Sequence, residues 1–243
     1  MTQEPTVSAE PGLGLFQRLI GMITSPGATF PHVVRMPKVA GAIAVLGLLQ
    51  GLALGLPQLT DRGKAAALEM QVQNIERFTG TPVSDEQYEA MRTSSQSNIG
   101  AYTTIAFSSI GLAFGALIIT VLLWAVFNAI LGGTATFKQV MTVVVHSQAV
   151  STLSVLIAAP IMYSRGEMRT SGIANLAALM PMLDETSVLS RFLGSIDLFM
   201  IWWIVVLAIG LGVLYKRSTN GIATGLFIFY GLVALGLAFF LAR

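Results

Sequence analysis

VAGAIAVLGLLQGLALGLPQLT occupies residues 39–60 and contains no Asp, Glu, Lys or Arg. A helix needs about 20 mostly apolar residues to cross the hydrocarbon core of a bilayer. This stretch supplies them, and four more charge-free intervals follow, at 93–137, 139–164, 198–215 and 218–242. Together the five intervals take more than half of the 243 residues. The predicted spans are 39–57, 101–131, 139–163, 198–215 and 220–241. The longest interval holds one span, because its start is polar and Gly132-Gly133 breaks its end. The expected fold is all-α: a polytopic five-helix membrane bundle with short interfacial amphipathic helices.

Composition agrees with this. Only 11% of the residues are charged and 54% are hydrophobic, whereas a soluble domain carries about 25% charged residues. The mean hydropathy is +0.73. A water-facing surface cannot be covered by so few polar groups, and disorder requires the opposite composition. The 24 glycines exceed the usual share of about 7%, a bias common in spanning helices. With no cysteine, disulfides, thiolate zinc sites and thiol catalysis are excluded.

The basic residues in short loops orient the chain. Lys138 is alone in the loop between spans two and three, and Lys216-Arg217 fill the loop between spans four and five. Neither loop contains an acid. Arg18, Arg35 and Lys38 precede the first span. Acids concentrate in the longer segments at 58–100 and 164–197, which are expected to be the outer helical segments. The expected arrangement is a multi-pass protein of the cell (inner) membrane, N-terminus cytoplasmic and C-terminus extracytoplasmic. Glu4 and Glu10 stand where a signal peptide would need a basic start. No cleavable signal is expected, and the first span acts as an anchor.

Residues 1–12 read as a disordered cytoplasmic tail, 13–38 as cytoplasmic interfacial helices and 39–243 as the membrane domain. Within 13–24, Leu13, Phe16, Ile20 and Ile23 share one helical face, which suits an anchor lying in the interface; a partner-binding helix is the alternative. Residues 59–78 read as a helix ended at Thr79-Gly80-Thr81-Pro82, with a new helix capped by Ser84 and Gln87.

Lipid gives helices no hydrophobic reason to associate, so close backbone packing and interhelical hydrogen bonds take over. Candidate packing positions are Gly47, Gly51 and Gly55 in span one, Gly111 and Gly115 in span two, and Ser147 and Ser151 in span three. Internal packing is favoured over homo-oligomer contacts.

Polar side chains at membrane depth mark functional sites by default. The candidates are Asn128, His146, Gln148 and Asp197. His146 lacks an acidic neighbour in its helix, which suits a helix–helix hydrogen bond better than a proton relay. Asp197 stands where it can cap span four or pair with Arg191 or Arg165.

Catalytic signatures are missing. There is no HExxH, GxSxG, P-loop or dinucleotide fingerprint and no paired acids within a span. No catalytic, cofactor-binding or metal residues are assigned, no cofactor is expected, and no basic cluster suits nucleic acid.

Several stretches carry a resemblance. Pro26, Phe30 and Pro37 precede span one. Phe127-Asn128, Gly132-Gly133 and Thr136-Phe137-Lys138-Gln139 follow span two. Asp197-Leu198-Phe199-Met200-Ile201-Trp202 and Gly210-Leu211-Gly212 mark span four. In this order and spacing, over about residues 15–240, the chain resembles the Yip1-domain family, in particular its bacterial branch. The resemblance implies five spans and the orientation given above. Eukaryotic members work in membrane traffic with Rab-type GTPases and with one another. Their DLYGP-type motif is absent here, so Rab-type GTPases are not expected partners. The expected function is that of a non-catalytic scaffold or accessory subunit in envelope transport or membrane organisation, contacting membrane lipid and either further copies of itself or other membrane protein subunits. The alternative is a lipid or small-solute transporter or scramblase, whose polar residues would converge on one groove.

Overall fold

A computed structural model describes residues 12–168, 174–180, 182–184 and 187–241. The expected tail over 1–12 lies outside these residues except for Gly12, as does part of the segment 164–197. Ten α-helices are described: α1 (Leu15–Thr24), α2 (Pro26–Arg35), α3 (Ala40–Gly55), α4 (Asp61–Thr79), α5 (Asp85–Ser95), α6 (Ile99–Trp124), α7 (Phe137–Arg165), α8 (Val188–Ser195), α9 (Leu198–Tyr215) and α10 (Thr219–Leu241). A 3-10 turn at Leu56–Leu59 extends α3, and a π-turn at Ala125–Ile130 extends α6. Among the described residues there is no strand, only one isolated antiparallel bridge between Asn175 and Asp197.

Five of the helices are long and apolar enough to cross a membrane: Ala40–Leu59, Ile99–Ile130, Phe137–Arg165, Leu198–Tyr215 and Thr219–Phe240. Their ends follow the charges. Asp197 caps α9 by accepting from the backbone N–H groups of Phe199 and Met200 at 2.8 and 3.4 Å, and Lys216 stops it in a left-handed conformation at φ 53°. Thr136 and Gln139 form a capping box that starts α7. Ser84 and Gln87 do the same for α5.

α7 is the central helix. It packs against α9, α3 and α6, and Val140, Val143, Val144, Val145 and Val150 on it are fully buried. α3 and α6 cross antiparallel in close contact. A Cβ on Gly47 would lie 2.9 Å from Ser109 Cα, and one on Gly51 would lie 2.6 Å from the Ile105 carbonyl oxygen. Only a hydrogen fits there, so these glycines set the distance between the two backbones. α10 is the most peripheral span and packs against α9 and α8.

One expectation needs correction. Gly111 and Gly115 do not face a neighbouring helix: nothing lies within 4 Å of where a Cβ would stand on either. The row on α6 that meets the bundle runs through Ala101, Ile105, Ser109, Leu112, Ala116 and Thr120, and the two glycines lie round the helix from it. α1 has Leu19 and Met22 buried, while Phe16 and Ile20 are exposed, at 67% and 59%. The buried flank of its apolar face is set against α7 and α2, and the exposed flank is left for lipid.

The bundle has two chemically different ends. One carries α1, α2 and the short turns 131–136 and 216–218. We call it the N-terminal face. The other, the α4 face, carries α4, α5, α8 and the longer connections.

Gly51→Val should lower the unfolding midpoint in detergent by the equivalent of about 1–3 kcal/mol, as overpacking does. Gly115→Val should shift it by less than about 0.5 kcal/mol. Equal losses from both would show that the α6 contact row is misplaced.

Candidate functional site

Asn128 lies in the π-turn, where one extra residue per turn swings its side chain inward. Its Nδ2 donates to the Ala135 carbonyl at 2.6 Å, and its Oδ1 accepts from the Tyr215 hydroxyl at 3.0 Å. Trp124 Nε1 donates to the same Ala135 carbonyl at 3.1 Å. The Phe127 and Tyr215 rings stack with centroids 4.7 Å apart. Arg217 Nη2 donates to the Leu131 carbonyl at 2.7 Å. A Cβ on Gly133 would meet the Tyr215 ring and lie 2.8 Å from the Phe127 carbonyl oxygen, while Gly132 turns the chain at φ 69°. The loop after α6 is thus clamped to the end of α9 by one polar side chain, two stacked rings and an arginine. π-turns within helices are frequent at functional sites, and this junction is the most densely bonded loop of the N-terminal face.

α2 adds a second anchor close to it. Phe30 is fully buried. Its ring rests on α9 where Gly210 leaves room: a Cβ there would lie 2.6 Å from both Phe30 Cζ and Val143 Cγ1.

His146 lies about 14 Å along α7 from its start, at 1.5 Å per residue. It is fully buried, and its Nδ1 is 2.8 Å from the Thr142 carbonyl. A carbonyl only accepts, so Nδ1 carries the hydrogen and Nε2 of the neutral ring is a bare acceptor. That Nε2 has no hydrogen-bond partner, and neither do the buried Nε of Arg18 and Nε1 of Trp203. α1 brings Arg18 within electrostatic reach of His146. Ser147, buried beside it, donates to the Val143 carbonyl at 2.9 Å. Gln148 and Ser151 are half-buried. Higher on α7, Thr152 accepts from Gln50 Nε2 of α3 at 2.9 Å. This interhelical bond joins two spans at membrane depth.

Asp197 is at the opposite end of α9 from the Asn128 clamp. Its Oδ1 caps the helix, and its Oδ2 is buried without a hydrogen-bond partner. The 18 residues of α9 put about 27 Å between the two positions. The four sequence candidates therefore do not share a site. The structure separates them into a loop clamp, a buried ring on α7, a half-buried amide and a helix cap. Among the described residues no group of three or more His, Asp or Glu is placed to hold a metal ion.

Sequence reasoning missed Tyr215, Trp124 and Arg217 as partners of Asn128, and Thr152 as the partner of Gln50. Aromatic residues at span ends read as interfacial anchors, and a hydroxyl inside a span gives no signal of its own.

The motif residues of the sequence are the same residues that make these contacts: Phe30 against Gly210, Phe127-Asn128 against Tyr215, Gly133 under it, and Thr136 with Gln139. The Yip1 domain family model matches residues 20–242. The chain belongs to the Yip1 domain family. Membrane protein YknW of Bacillus subtilis (strain 168) is 24% identical over 205 residues, which covers 84% of this chain and 79% of that protein. No solved structure matches. The Yip1 domain thus extends from the middle of α1 to the end of α10, and the docked N-terminal helices belong to it along with the spans.

Tyr215→Phe keeps the ring stack and removes the hydroxyl. It should cost about 1 kcal/mol in reversible unfolding. Asn128→Ala, which also frees the Ala135 carbonyl from one donor, should cost more. For Gln50→Leu and Thr152→Val, a double-mutant cycle should give a coupling of about 0.6 kcal/mol, the average for such bonds in membranes. Zero coupling would mean the bond is not formed.

Proposed function

We propose that this Yip1-domain protein is a non-catalytic scaffold or accessory subunit of the cell membrane, acting in envelope transport or membrane organisation. The observation that carries this reading is how the polar side chains at membrane depth are used. Asn128, Gln50 with Thr152, and Asp197 each join a helix to a loop, a helix to a helix, or a helix to its own first turn. Transport of a solute or headgroup needs polar groups aligned along one path, and these are spread over both ends of the bundle. Their dispersal favours the scaffold over the transporter or scramblase.

The surface supports the same reading. α6 exposes Phe107, Ile110 and Phe114, and α10 exposes Phe229, Leu232 and Phe240. These are broad apolar faces for lipid or for the spans of another membrane protein. On this reading the N-terminal face, with Lys138, Lys216 and Arg217, is cytoplasmic.

Affinity purification in a gentle detergent should retain a membrane protein in fixed ratio to this chain. Asn128→Ala should reduce that retention by loosening the N-terminal face. Proteoliposomes of the purified chain should exchange labelled lipid no faster than protein-free vesicles. Faster exchange that His146→Ala abolishes would replace the scaffold with a transporter.

A further inference from the structure

Where α3 ends and α4 begins, the bundle encloses a cavity of about 200 Å³, bounded by the 3-10 turn, α4, α6 and the last turns of α7. Its walls are apolar, with Pro57, Ala66, Met70, Ala159 and Met162 among them. Two of the polar wall groups, Gln58 and Thr104, are hydrogen-bonded within the protein. Gln58 Nε2 donates to the Leu54 carbonyl at 3.1 Å and to Thr104 Oγ1 at 3.0 Å. Nothing in the walls calls for a polar ligand.

The mouth is different. Arg62 and Glu167 are the charged residues that line the cavity, and both are exposed. Arg62 Nη2 donates to the Ser164 carbonyl at 2.6 Å, and its guanidinium lies 5.9 Å from the centre of the Tyr163 ring. That contact fixes the side chain but uses one of five N–H donors. A guanidinium held in place with donors to spare matches the oxygens of a phosphate.

The position along the bundle joins these two facts. Ala159 belongs to α7 and Pro57 to the extension of α3, so the apolar walls stand at the end of two spans. Arg62 stands just past that end, with an interfacial tyrosine beneath it. Apolar space at span depth under a cation at the interface is the profile of a phospholipid: chain below, phosphate above. The volume is below the roughly 300–1,000 Å³ of pockets that take a whole drug-sized ligand. It has room for the upper segment of one acyl chain.

We propose that this cavity binds a membrane phospholipid, with its phosphate on Arg62 and one chain seated between Ala66, Met70 and Met162. The site is on the α4 face, distant from the Asn128 clamp, and it does not depend on the scaffold reading.

Native mass spectrometry of the full chain in detergent, titrated with phosphatidylethanolamine, tests it. Phosphatidylglycerol with the same chains is the second phospholipid, and diacylglycerol with the same chains and inorganic phosphate serve as controls. A singly lipid-bound species should form with both phospholipids and far less with diacylglycerol. Arg62→Gln removes a charge-assisted contact and should weaken binding about tenfold. Ala66→Leu should weaken it by filling the cavity. Met70→Trp, at a half-buried position, gives the same test if Ala66→Leu does not fold. Equal binding of the three lipids overturns the proposal. So does displacement by millimolar inorganic phosphate, which would make the site a plain anion site. Loss of binding in Arg62→Gln but in neither cavity-filling variant also overturns it, because the lipid would then lie on the surface.

Discussion

Three helices meet where Gly210 has no side chain. Phe30 of α2 and Val143 of α7 both come to 2.6 Å from where a Cβ on that residue would stand, and the rest of the N-terminal face is organised by this contact. Water cannot drive helices together inside a bilayer, so contact must come from fitted surfaces. The fit at Gly210 draws α2 into the bundle instead of leaving it on the membrane. With α2 in place, α1 is carried onto α7, and Arg18 comes to the neighbourhood of His146. A few residues further on, α9 ends at Tyr215, which takes hold of the loop after α6.

The two ends of the molecule are therefore built by different means. On the N-terminal face short turns are tied down by side chains from another helix, as Arg217 ties Leu131. On the α4 face the connections are long and carry their own helices. α4 and α5 form a hairpin held by polar contacts, among them Tyr88 donating to Glu69 at 3.1 Å, and α5 buries no residue of its own. That hydrogen bond, and the negative charge of the carboxylate, raise the Tyr88 phenol above its ordinary pKa. Such a hairpin is anchored at its root, where α4 meets the 3-10 turn, and that root is also the wall of the apolar cavity.

The sequence made the spans legible because charge is so costly in lipid that its absence is a direct trace of position. Asp197 and Lys216 bracket α9 in the sequence and in the structure. The glycines were legible only in part. Four-residue spacing shows that Gly47, Gly51 and Gly55 share a face, as Gly111 and Gly115 do, but spacing carries no information on which face meets a neighbour. The partner helix decides that: α3 meets α6 on the row of Ile105 and Ser109. Asn128 was found because an amide is conspicuous at that depth, while its partner Tyr215 was hidden among ordinary interfacial aromatics. The cavity left no trace in the sequence, since Pro57 with Arg62, Thr104 and Met162 come from three separate stretches that only folding brings together.

The spans are of unequal length. α7 has 29 residues and α9 has 18, or about 43 and 27 Å of rise at 1.5 Å per residue. A bilayer's hydrocarbon core is about 30 Å thick. Packed side by side, one helix overshoots that thickness and the other falls short. The lipid beside α9 must thin, or α7 must lean and project into the headgroups. Either accommodation is local to the α7–α9 contact, and the 11-residue difference between the two helices is what makes one of them necessary.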